Sequence, residues 1–352
     1  MFAPFLTAVV AALAPQVSTL LHPLYLDPAP PELRSARHVL LAFQGAEHAP
    51  PGTTRTKEAA LERAQDLALR LRGGVDFART VVEVSEAPDK TTGGMLGSFA
   101  KGMLAPDLDA FLFTADVGGV SAPIVLPDGV HVFQRIDTWA AVLELRVEAP
   151  ETDADAKKRI EFAAGEIARG ADFVQMVREH STDRACAERG GQFAIYERGA
   201  RDTLLKAAAF ELGVGETTPP LRSPIGWHIL KRVPLTAVDG SLRENNWARV
   251  RAILVQHDKA LGVGTKTTRN QLEAKELADA LLARLQKGED FGVLAREVND
   301  DQGGKERGGE LGWVHRTMPD LPRPFLTVFA QKPGDAQVFE STLGFVLVQR
   351  VK

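Results

Sequence analysis

The sequence has a single cysteine, Cys186, few aromatic residues (7%) and no excess of either charge. One thiol cannot form an internal disulfide, and it cannot by itself provide a cysteine-based zinc site. The 42 basic and 46 acidic residues leave a net charge of −4, so no polybasic field draws the chain to nucleic acid or anionic lipid. With 44% hydrophobic and 25% charged residues, the composition excludes a disordered or collagen-like chain.

Long apolar runs are also absent. Pro4 and Pro15 interrupt the apolar N-terminal stretch, which therefore lacks the roughly 18 consecutive apolar residues of a membrane-spanning helix. Residues 1–26 contain no charged side chain, and Ala12-Leu13-Ala14 has the small-x-small form of an export cleavage site, although no Lys or Arg precedes it. Residues 1–32 are predicted to be an N-terminal extension. Export to a periplasm is favoured over a cytoplasmic location, while membrane attachment and local packing stay open.

The string Gly-x-Asp-Phe occurs three times, ending at Phe77, Phe173 and Phe291. Each copy follows small and aliphatic residues at steps of four, three and four, which place one apolar face on an α-helix. The glycine is expected to end that helix in the left-handed conformation, and the Asp to cap a short second helix. The helix positions are Ala60, Ala64, Leu67 and Leu71; Ala156, Ile160, Ala163 and Ile167; and Ala274, Ala278, Leu281 and Leu285.

The repeat continues after each Gly-x-Asp-Phe string with a Gly-Gly pair, a phenylalanine and a Gly-x-His or Gly-x-Val triplet. Short apolar runs around the triplets are typical of strands. Each unit is therefore predicted to be an α+β domain of about 100 residues, with a small antiparallel sheet surrounded by helices. The repeated positions are Gly94, Gly191 and Gly309; Phe113, Phe210 and Phe329; and Gly129-Val-His131, Gly226-Trp-His228 and Gly344-Phe-Val346.

The repeat predicts three tandem domains, in keeping with a chain of 352 residues at roughly 150 residues per domain. The first domain is placed at 33–138 and the second at 139–235. A linker at 236–247 precedes the third domain at 248–352.

Taken together, these motifs resemble the parvulin family of peptidyl-prolyl cis/trans isomerases. In the first domain the resemblance is carried by Arg37-His38-Val-Leu-Leu, Thr54-Arg-Thr-Lys-Glu58 and Gly93-Gly94-x-Leu-Gly97, besides the repeated strings above. It covers the chain from about Leu33 to Lys352 in three copies. The resemblance implies non-covalent catalysis of rotation about X-Pro bonds in polypeptide clients. It implies no cofactor and no metal.

The family's site has two histidines that hydrogen-bond to each other, and these match His38 and His131 in the first domain. By resemblance, Asp128 takes the place of a hydroxyl that orients the pair. The family's Asp or Cys position falls on Ala87, so Glu86 or Asp89 would have to substitute for it. The cup for the proline ring falls on five apolar side chains of the first domain, namely Phe99, Met103, Leu104, Leu108 and Phe113.

The other two domains depart from the family pattern. The second keeps Asp183 and His228 as candidates, but its first strand has no histidine. The third keeps Asp301, whereas Ala252 and Val346 stand where histidines belong. The first domain is therefore predicted to be active, the second impaired and the third inactive.

Structural alternatives remain open for most of these residues. His38 and His228 are also typical of buried, hydrogen-bonded histidines, and Asp183 and Asp301 of turn caps. Phe113 is explained equally well by core packing. No Lys or Arg lies at 43–54, so the phosphate clamp of some parvulins is not predicted. The alternative function is a non-catalytic chaperone that holds extended client chains.

Overall fold

The computed structural model describes residues 25–27, 29–149, 154–199, 202–263, 267–316, 321 and 323–352. It contains three antiparallel sheets of four strands, and in each the strands of the domain lie in the order 2-1-4-3. The predicted α+β class with three tandem parvulin-like domains is confirmed. Up to residue 24, the predicted N-terminal extension lies outside the described residues. Within the described ranges, no helix is long and apolar enough to cross a membrane.

In the first domain, helices cover both faces of the sheet. One face packs its valines, Val39 and Val132 among them, against Ala60 and Ala64 of the first helix. The other face packs Ala36 and Phe133 against a later helix. The elements are β1 (Leu33–Leu41), α1 (Lys57–Arg72), α2 (Phe77–Val84), a 3-10 turn (Pro88–Thr92), β2 (Met95–Ala100), α3 (Pro106–Thr114), β3 (Ile124–Leu126) and β4 (Gly129–Ile136).

The second and third domains repeat this order. The second consists of β5 (Trp139–Glu148), α4 (Ala154–Ala168), α5 (Phe173–His180), α6 (Arg184–Glu188), β6 (Gln192–Glu197), α7 (Leu204–Glu211), β7 (Leu221–Ser223) and β8 (Gly226–Val233). The third consists of β9 (Trp247–Val255), α8 (Gln271–Gln286), α9 (Phe291–Val298), α10 (Gln302–Glu306), β10 (Glu310–His315), α11 (Arg323–Leu326), a 3-10 turn (Thr327–Ala330), β11 (Ala336–Ser341) and β12 (Gly344–Arg350).

The turn between the two helices of each domain forms as predicted. Gly74, Gly170 and Gly288 have φ angles of 96°, 97° and 94°, in the region that favours glycine. The following aspartates accept hydrogen bonds from backbone N–H groups in the first turn of the short helix. These caps are Asp76 to Arg79, Asp172 to Gln175, and Asp290 to Val293. In each domain the Gly-Gly pair is followed by a strand that the motifs do not single out, namely β2, β6 and β10.

The described residues form two compact units: Leu33–Glu244, and Asn245–Lys352 with the described part of 13–32. Most of the stretch predicted as a linker, residues 236–244, packs on the second domain. Val238 is buried in the core of the second domain, and Arg243 forms a bridge with Ile195 of β6. Apolar and backbone contacts therefore fix it to the second domain as far as Glu244. The domain boundaries stay predictions.

Candidate functional site

His38 and His131 lie on adjacent strands of the first domain, β1 and β4. Antiparallel pairing aligns His38 with Phe133 and Leu40 with His131, so both imidazoles project from the same face of the sheet. Their Nδ1 atoms are 2.8 Å apart. His131 is fully buried, whereas 7% of His38 is exposed. The pair predicted from the sequence is therefore in hydrogen-bonding contact, and only His38 reaches the surface.

A carboxylate lies at each outer end of the histidine pair. Asp128 Oδ1 is 2.9 Å from His131 Nε2, and Asp89 Oδ2 is 3.1 Å from His38 Nε2. Burial lowers the pKa of His131 and outweighs the opposing effect of the hydrogen bond that His131 donates to Asp128. Burial disfavours the charged form of Asp128, but the hydrogen bond that it accepts from His131 holds the pKa of that carboxyl below its usual value. The two buried members of this hydrogen-bonded row, His131 and Asp128, are thus a neutral imidazole and an ionised carboxylate near pH 7.

The hydrogen-bond acceptors determine which nitrogens of His38 and His131 carry protons in the row Asp89–His38–His131–Asp128. Both carboxylates accept, so His131 donates from Nε2 to Asp128 and, as a neutral ring, accepts at Nδ1. His38 then donates from Nδ1 to His131. The proton between the two Nδ1 atoms therefore resides on His38, and the outer Nε2 atom of His38 faces the Asp89 carboxylate.

Phe133 is part of the site, although the motifs do not single it out. Its ring lies parallel to that of His131, with centroids 5.4 Å apart and an interplanar angle of 6°, and 5.8 Å from that of His38. It is 1% exposed. The sequence signal is its position two residues after His131 on a strand, which places both side chains on one face.

The five predicted cup residues form one apolar cluster with Phe133 on the histidine face of the sheet. Three of them are buried and form its floor: Phe99, Leu104 and Leu108. Met103 and Phe113 are partly exposed at its rim. The Arg34 guanidinium lies 5.8 Å from the centre of the Phe113 ring. Whether this cluster binds a proline ring stays a prediction.

Of the two acidic residues offered as substitutes for Ala87, only Asp89 contacts the histidines. Glu86 instead forms an ion pair with Arg55 at 2.9 Å and accepts a hydrogen bond from the backbone N–H of Ala42 at 2.7 Å. Burial opposes its ionisation, but Arg55 and that hydrogen bond lower the pKa of Glu86. Glu86 therefore fastens β1 to the loop that begins α1.

In the second domain, Glu144 occupies the strand position that His38 has in the first. His38 and Glu144 donate their backbone N–H to the second glycine of the Gly-Gly pair, Gly94 and Gly191 respectively. Glu144 Oε1 lies 2.7 Å from His228 Nδ1, and both residues are fully buried. The sequence motifs missed Glu144, whose only signal is an acidic residue between two leucines in β5.

Asp183 and His228 of the second domain form hydrogen bonds and ion pairs with nearby residues. Asp183 caps α6 by accepting from the N–H of Cys186 at 3.0 Å, and it forms an ion pair with Arg146. His228 Nε2 is 2.6 Å from Ser223 Oγ. Burial, aided by the charges of Glu144 and Asp183, raises the pKa of Cys186 to about 11. The thiol is therefore protonated at neutral pH.

The third domain has no imidazole at either position of the pair. Ala252 and Val346 are buried together in an apolar cluster. Asp301 is buried and accepts a hydrogen bond from Gly304 N–H at 2.9 Å, which caps α10. This hydrogen bond supports the alternative that Asp301 acts as a helix cap.

A surface cavity of about 470 Å³ lies on the opposite face of the first sheet. It is lined by Arg37 and Gln134, which alternate with His38 and Phe133 along β1 and β4, and by Phe77 of α2. The histidine pair does not border this cavity.

Three repeated sheets, with one histidine pair held between carboxylates, define a multidomain protein of the parvulin class. Two family profiles, both described as a PPIC-type PPIASE domain, match the chain, one at residues 38–137 and 142–233 and the other at 235–351. The chain belongs to the PPIC-type PPIase domain family.

Similar proteins include bacterial chaperones. Chaperone SurA of Nitrosospira multiformis is 26% identical over 229 residues, which cover 61% of this chain and 51% of that protein. Chaperone SurA of Chromohalobacter salexigens is 32% identical over 169 residues, covering 47% of this chain and 36% of that protein. The chain spans about half the length, or less, of these curated relatives.

Solved structures match single stretches of the chain. The peptidyl-prolyl isomerase ESS1 from Candida albicans is 26% identical, with a TM-score of 0.28, over 30% of this chain and 63% of that one. A SurA-like chaperone from Campylobacter jejuni is 23% identical, with a TM-score of 0.24, over 31% of this chain and 39% of that one.

Proposed function

We propose that the first domain catalyses cis/trans isomerisation of X-Pro bonds in polypeptide clients. The observation that carries the proposal is the contact of 2.8 Å between Nδ1 of His38 and Nδ1 of His131, with a carboxylate at each end. His38 and Asp89 face the substrate in this proposal. His131 and Asp128 are positioning residues, because both are buried behind them.

The proposed catalysis needs no covalent step. Rotation about an X-Pro bond crosses a barrier of about 18–20 kcal/mol that arises from the partial double-bond character of the amide. An apolar cup that excludes water disfavours the charge-separated planar amide, and fixed dipoles favour the twisted state. Each tenfold acceleration requires about 1.4 kcal/mol of such differential stabilisation. The apolar cluster of Met103, Phe113 and Phe99 supplies the cup.

The test is a protease-coupled assay of an X-Pro peptide with the full chain. We expect the wild type to accelerate isomerisation and His38→Ala to reduce kcat/KM by about 100-fold, the effect of losing an acid-base or hydrogen-bonding group from a site. His48→Ala, a change in an exposed loop residue of the same domain, is the matched control. A wild-type rate equal to the uncatalysed rate would overturn the proposal.

The second candidate function is a chaperone that holds extended clients without catalysis. The third domain favours it, since Ala252 and Val346 leave that sheet without the imidazole pair, and so does the likeness to Chaperone SurA. In this candidate, suppression of client aggregation is strong in the wild type and unchanged in His38→Ala. Both functions can coexist, with the second domain impaired and the third inactive as isomerases.

We also propose that the protein is exported. The charge-free residues 1–26, with Ala12-Leu13-Ala14 following an apolar run, support the proposal. Cell fractionation of the full-length protein, with mass spectrometry of its N-terminus, tests it. Recovery of the intact N-terminus in the cytoplasm would contradict it.

A further inference from the structure

Three potential metal ligands meet in the second domain, around the strand position that His38 occupies in the first domain. One ligand atom from each of Glu144, Asp183 and Cys186 lies within 4.8 Å of the other two. Glu144 comes from the middle of β5, whereas Asp183 precedes α6 and Cys186 lies in its first turn. Sequence spacing does not reveal this cluster, because two helices, α4 and α5, lie between Glu144 and Asp183 along the chain.

Glu144 indicates that the cluster is incomplete as it stands. The residue is 0% exposed, and its Oε1 accepts from His228 Nδ1 at 2.7 Å. Its other oxygen, Oε2, is buried and has no hydrogen-bond partner within the described part of the chain. Burying a carboxylate oxygen without a partner is unfavourable, so such atoms are normally satisfied by a donor or a cation.

The donors select the class of cation. A thiolate with two carboxylates suits Zn²⁺ and similar first-row divalent ions, whereas Ca²⁺ and Mg²⁺ require more oxygen ligands. Zinc ligands at roughly 2.0–2.3 Å lie about 3.3–3.8 Å from each other in a tetrahedron, so the three groups need to close by about 1 Å. Arg146 contacts Asp183. This contact does not exclude a metal, because each carboxylate oxygen has two lone pairs.

A ring of polar contacts would orient these ligands. His228 holds Glu144 from one side and is itself held by Ser223 Oγ, 2.6 Å from Nε2. Metal ligands are commonly fixed by such partners. The backbone N–H of Cys186 donates to Asp183 Oδ1 at 3.0 Å, which keeps the thiol next to that carboxylate.

The repeat supplies an internal comparison. A trio required by the shared fold would recur in every domain, yet the corresponding strand position, helix-cap position and third helix residue carry different side chains elsewhere. They are His38, Ala87 and Lys90 in the first domain and Ala252, Asp301 and Gly304 in the third. The packing of the domain therefore does not demand the trio.

We propose that Glu144, Asp183 and Cys186 form a binding site for a zinc-class divalent cation, in the place where the second domain has lost its histidine pair. On binding, the Cys186 thiol transfers its proton to solvent and its sulfur coordinates the ion. Glu144 Oε2 and an oxygen of Asp183 supply the other two protein ligands. This site is independent of the isomerase activity proposed for the first domain.

The test uses cobalt(II) added to the metal-free, full-length protein. Cys186 is the only cysteine, so a thiolate-to-cobalt charge-transfer band reports on this site alone. We expect the band to appear with one equivalent of cobalt, to disappear when zinc is added, and to be absent in Cys186→Ser. Glu144→Gln and Asp183→Asn should weaken cobalt binding by about tenfold or more. Asp301→Asn, the same change at the corresponding cap of the third domain, should leave it unchanged.

Two results would overturn the proposal. One is the absence of the band in folded wild-type protein. The other is undiminished affinity in both carboxylate variants, which would show that the thiol alone holds cobalt. Circular dichroism establishes that each variant is folded. If Glu144→Gln unfolds the domain, Asp183→Asn decides, because Asn retains the capping acceptor for the Cys186 N–H.

Discussion

The Asp89 carboxylate lies 3.1 Å from Nε2 of His38, although the repeat assigns the acidic position to Ala87, two residues earlier. Ala87 precedes the 3-10 turn at Pro88–Thr92 and has no side-chain acceptor to cap it. In the other domains the residue at this position is an aspartate that caps a helix. In the first domain the carboxylate is instead that of Asp89, within the 3-10 turn, where it contacts the imidazole of His38.

Loss of this carboxylate should impair isomerisation. Asp89→Asn removes a charge-assisted hydrogen bond to His38, an interaction of about 1.5–3 kcal/mol, so we expect kcat/KM to fall by about tenfold to a hundredfold. The protease-coupled assay measures this. Asp107→Asn, an exposed change at the start of α3, is the control. Equal kcat/KM values for Asp89→Asn and the wild type would show that Asp89 has no part in catalysis.

The buried His131 and Asp128 predict a loss of stability in acid. The pKa of His131 is below its usual 6.5 in the folded state, so as pH falls through 6.5 the unfolded chain binds a proton that the native site does not. The stabilisation is complete above pH 6.5 and declines below it. The lowered pKa of Asp128 adds a second loss as pH falls below that group's usual 3.8.

Urea unfolding at pH 7.5 and pH 5.5 measures the first window. We expect His131→Gln to reduce the difference in unfolding free energy between the two pH values, because Gln does not titrate. Thr54→Gln, a change at an exposed loop residue that does not titrate, should keep the wild-type difference. An unaltered pH difference in His131→Gln would be incompatible with a depressed pKa at His131.

The sequence predicts the parts of the site that the family motifs carry. His38 and His131 are assigned by the resemblance to the parvulin family, through Arg37-His38-Val-Leu-Leu and Gly129-Val-His131. Asp89 partly escapes assignment, since it is named only beside Glu86 as a substitute for Ala87 and its contact with His38 depends on the turn geometry after Ala87. Glu144 also escapes, because an acidic residue between two leucines has no motif and its partner, His228, is 84 residues further along the chain.

For the fold, too, features that depend on local sequence are predicted and features that depend on contacts distant in sequence are not. The helices and their caps arise from local spacing and short-range hydrogen bonds, and these are correctly predicted. The strands β2, β6 and β10 are not distinguished from the turns before them, because their pairing with the first strand of each domain is non-local. Packing of Val238 on the second domain likewise depends on a tertiary contact that the polar sequence around it does not indicate.

The Gly-Gly pair of the first domain offers a test of backbone proximity. Gly93 and Gly94 have φ angles of 72° and 70°, so alanine is strained at either position by about 1–2 kcal/mol. A Cβ on Gly94 would lie 2.2 Å from the carbonyl oxygen of His38, whereas a Cβ on Gly93 would meet nothing within 4 Å. Gly94→Ala should therefore displace β1 and His38 as well.

We expect Gly94→Ala to lose about 1–3 kcal/mol more unfolding free energy than Gly93→Ala, the usual cost of overpacking. It should also lose most isomerase activity, while Gly93→Ala keeps it. Chemical denaturation and the peptide assay on the two variants provide the comparison. Similar stability and activity in both would mean that the close approach to His38 is relieved at no cost.

Arg198 couples the first two domains. The side chain is buried, its Nε donates to the carbonyl of Asp137 at 2.8 Å, and its guanidinium carbon lies 3.9 Å from the centre of the Phe210 ring. Its own carbonyl accepts from the hydroxyl of Ser98 in β2 at 2.7 Å. Burial lowers the pKa of Arg198 to about 10, so the group is still cationic at neutral pH.

Arg198→Ala should cost about 2–4 kcal/mol, because it removes a charged donor to the Asp137 carbonyl and the cation-π contact of a buried guanidinium. Since these contacts join two domains, we expect calorimetry of the full chain to show the unfolding of the first and second domains separating into distinct transitions. Arg198→Lys should recover only part of the loss, because an ammonium cannot stack on Phe210 as a planar guanidinium does. Arg184→Ala, at an exposed position of α6, should leave the transitions unchanged. Coincident transitions in Arg198→Ala would show that the domains are coupled by contacts other than this arginine.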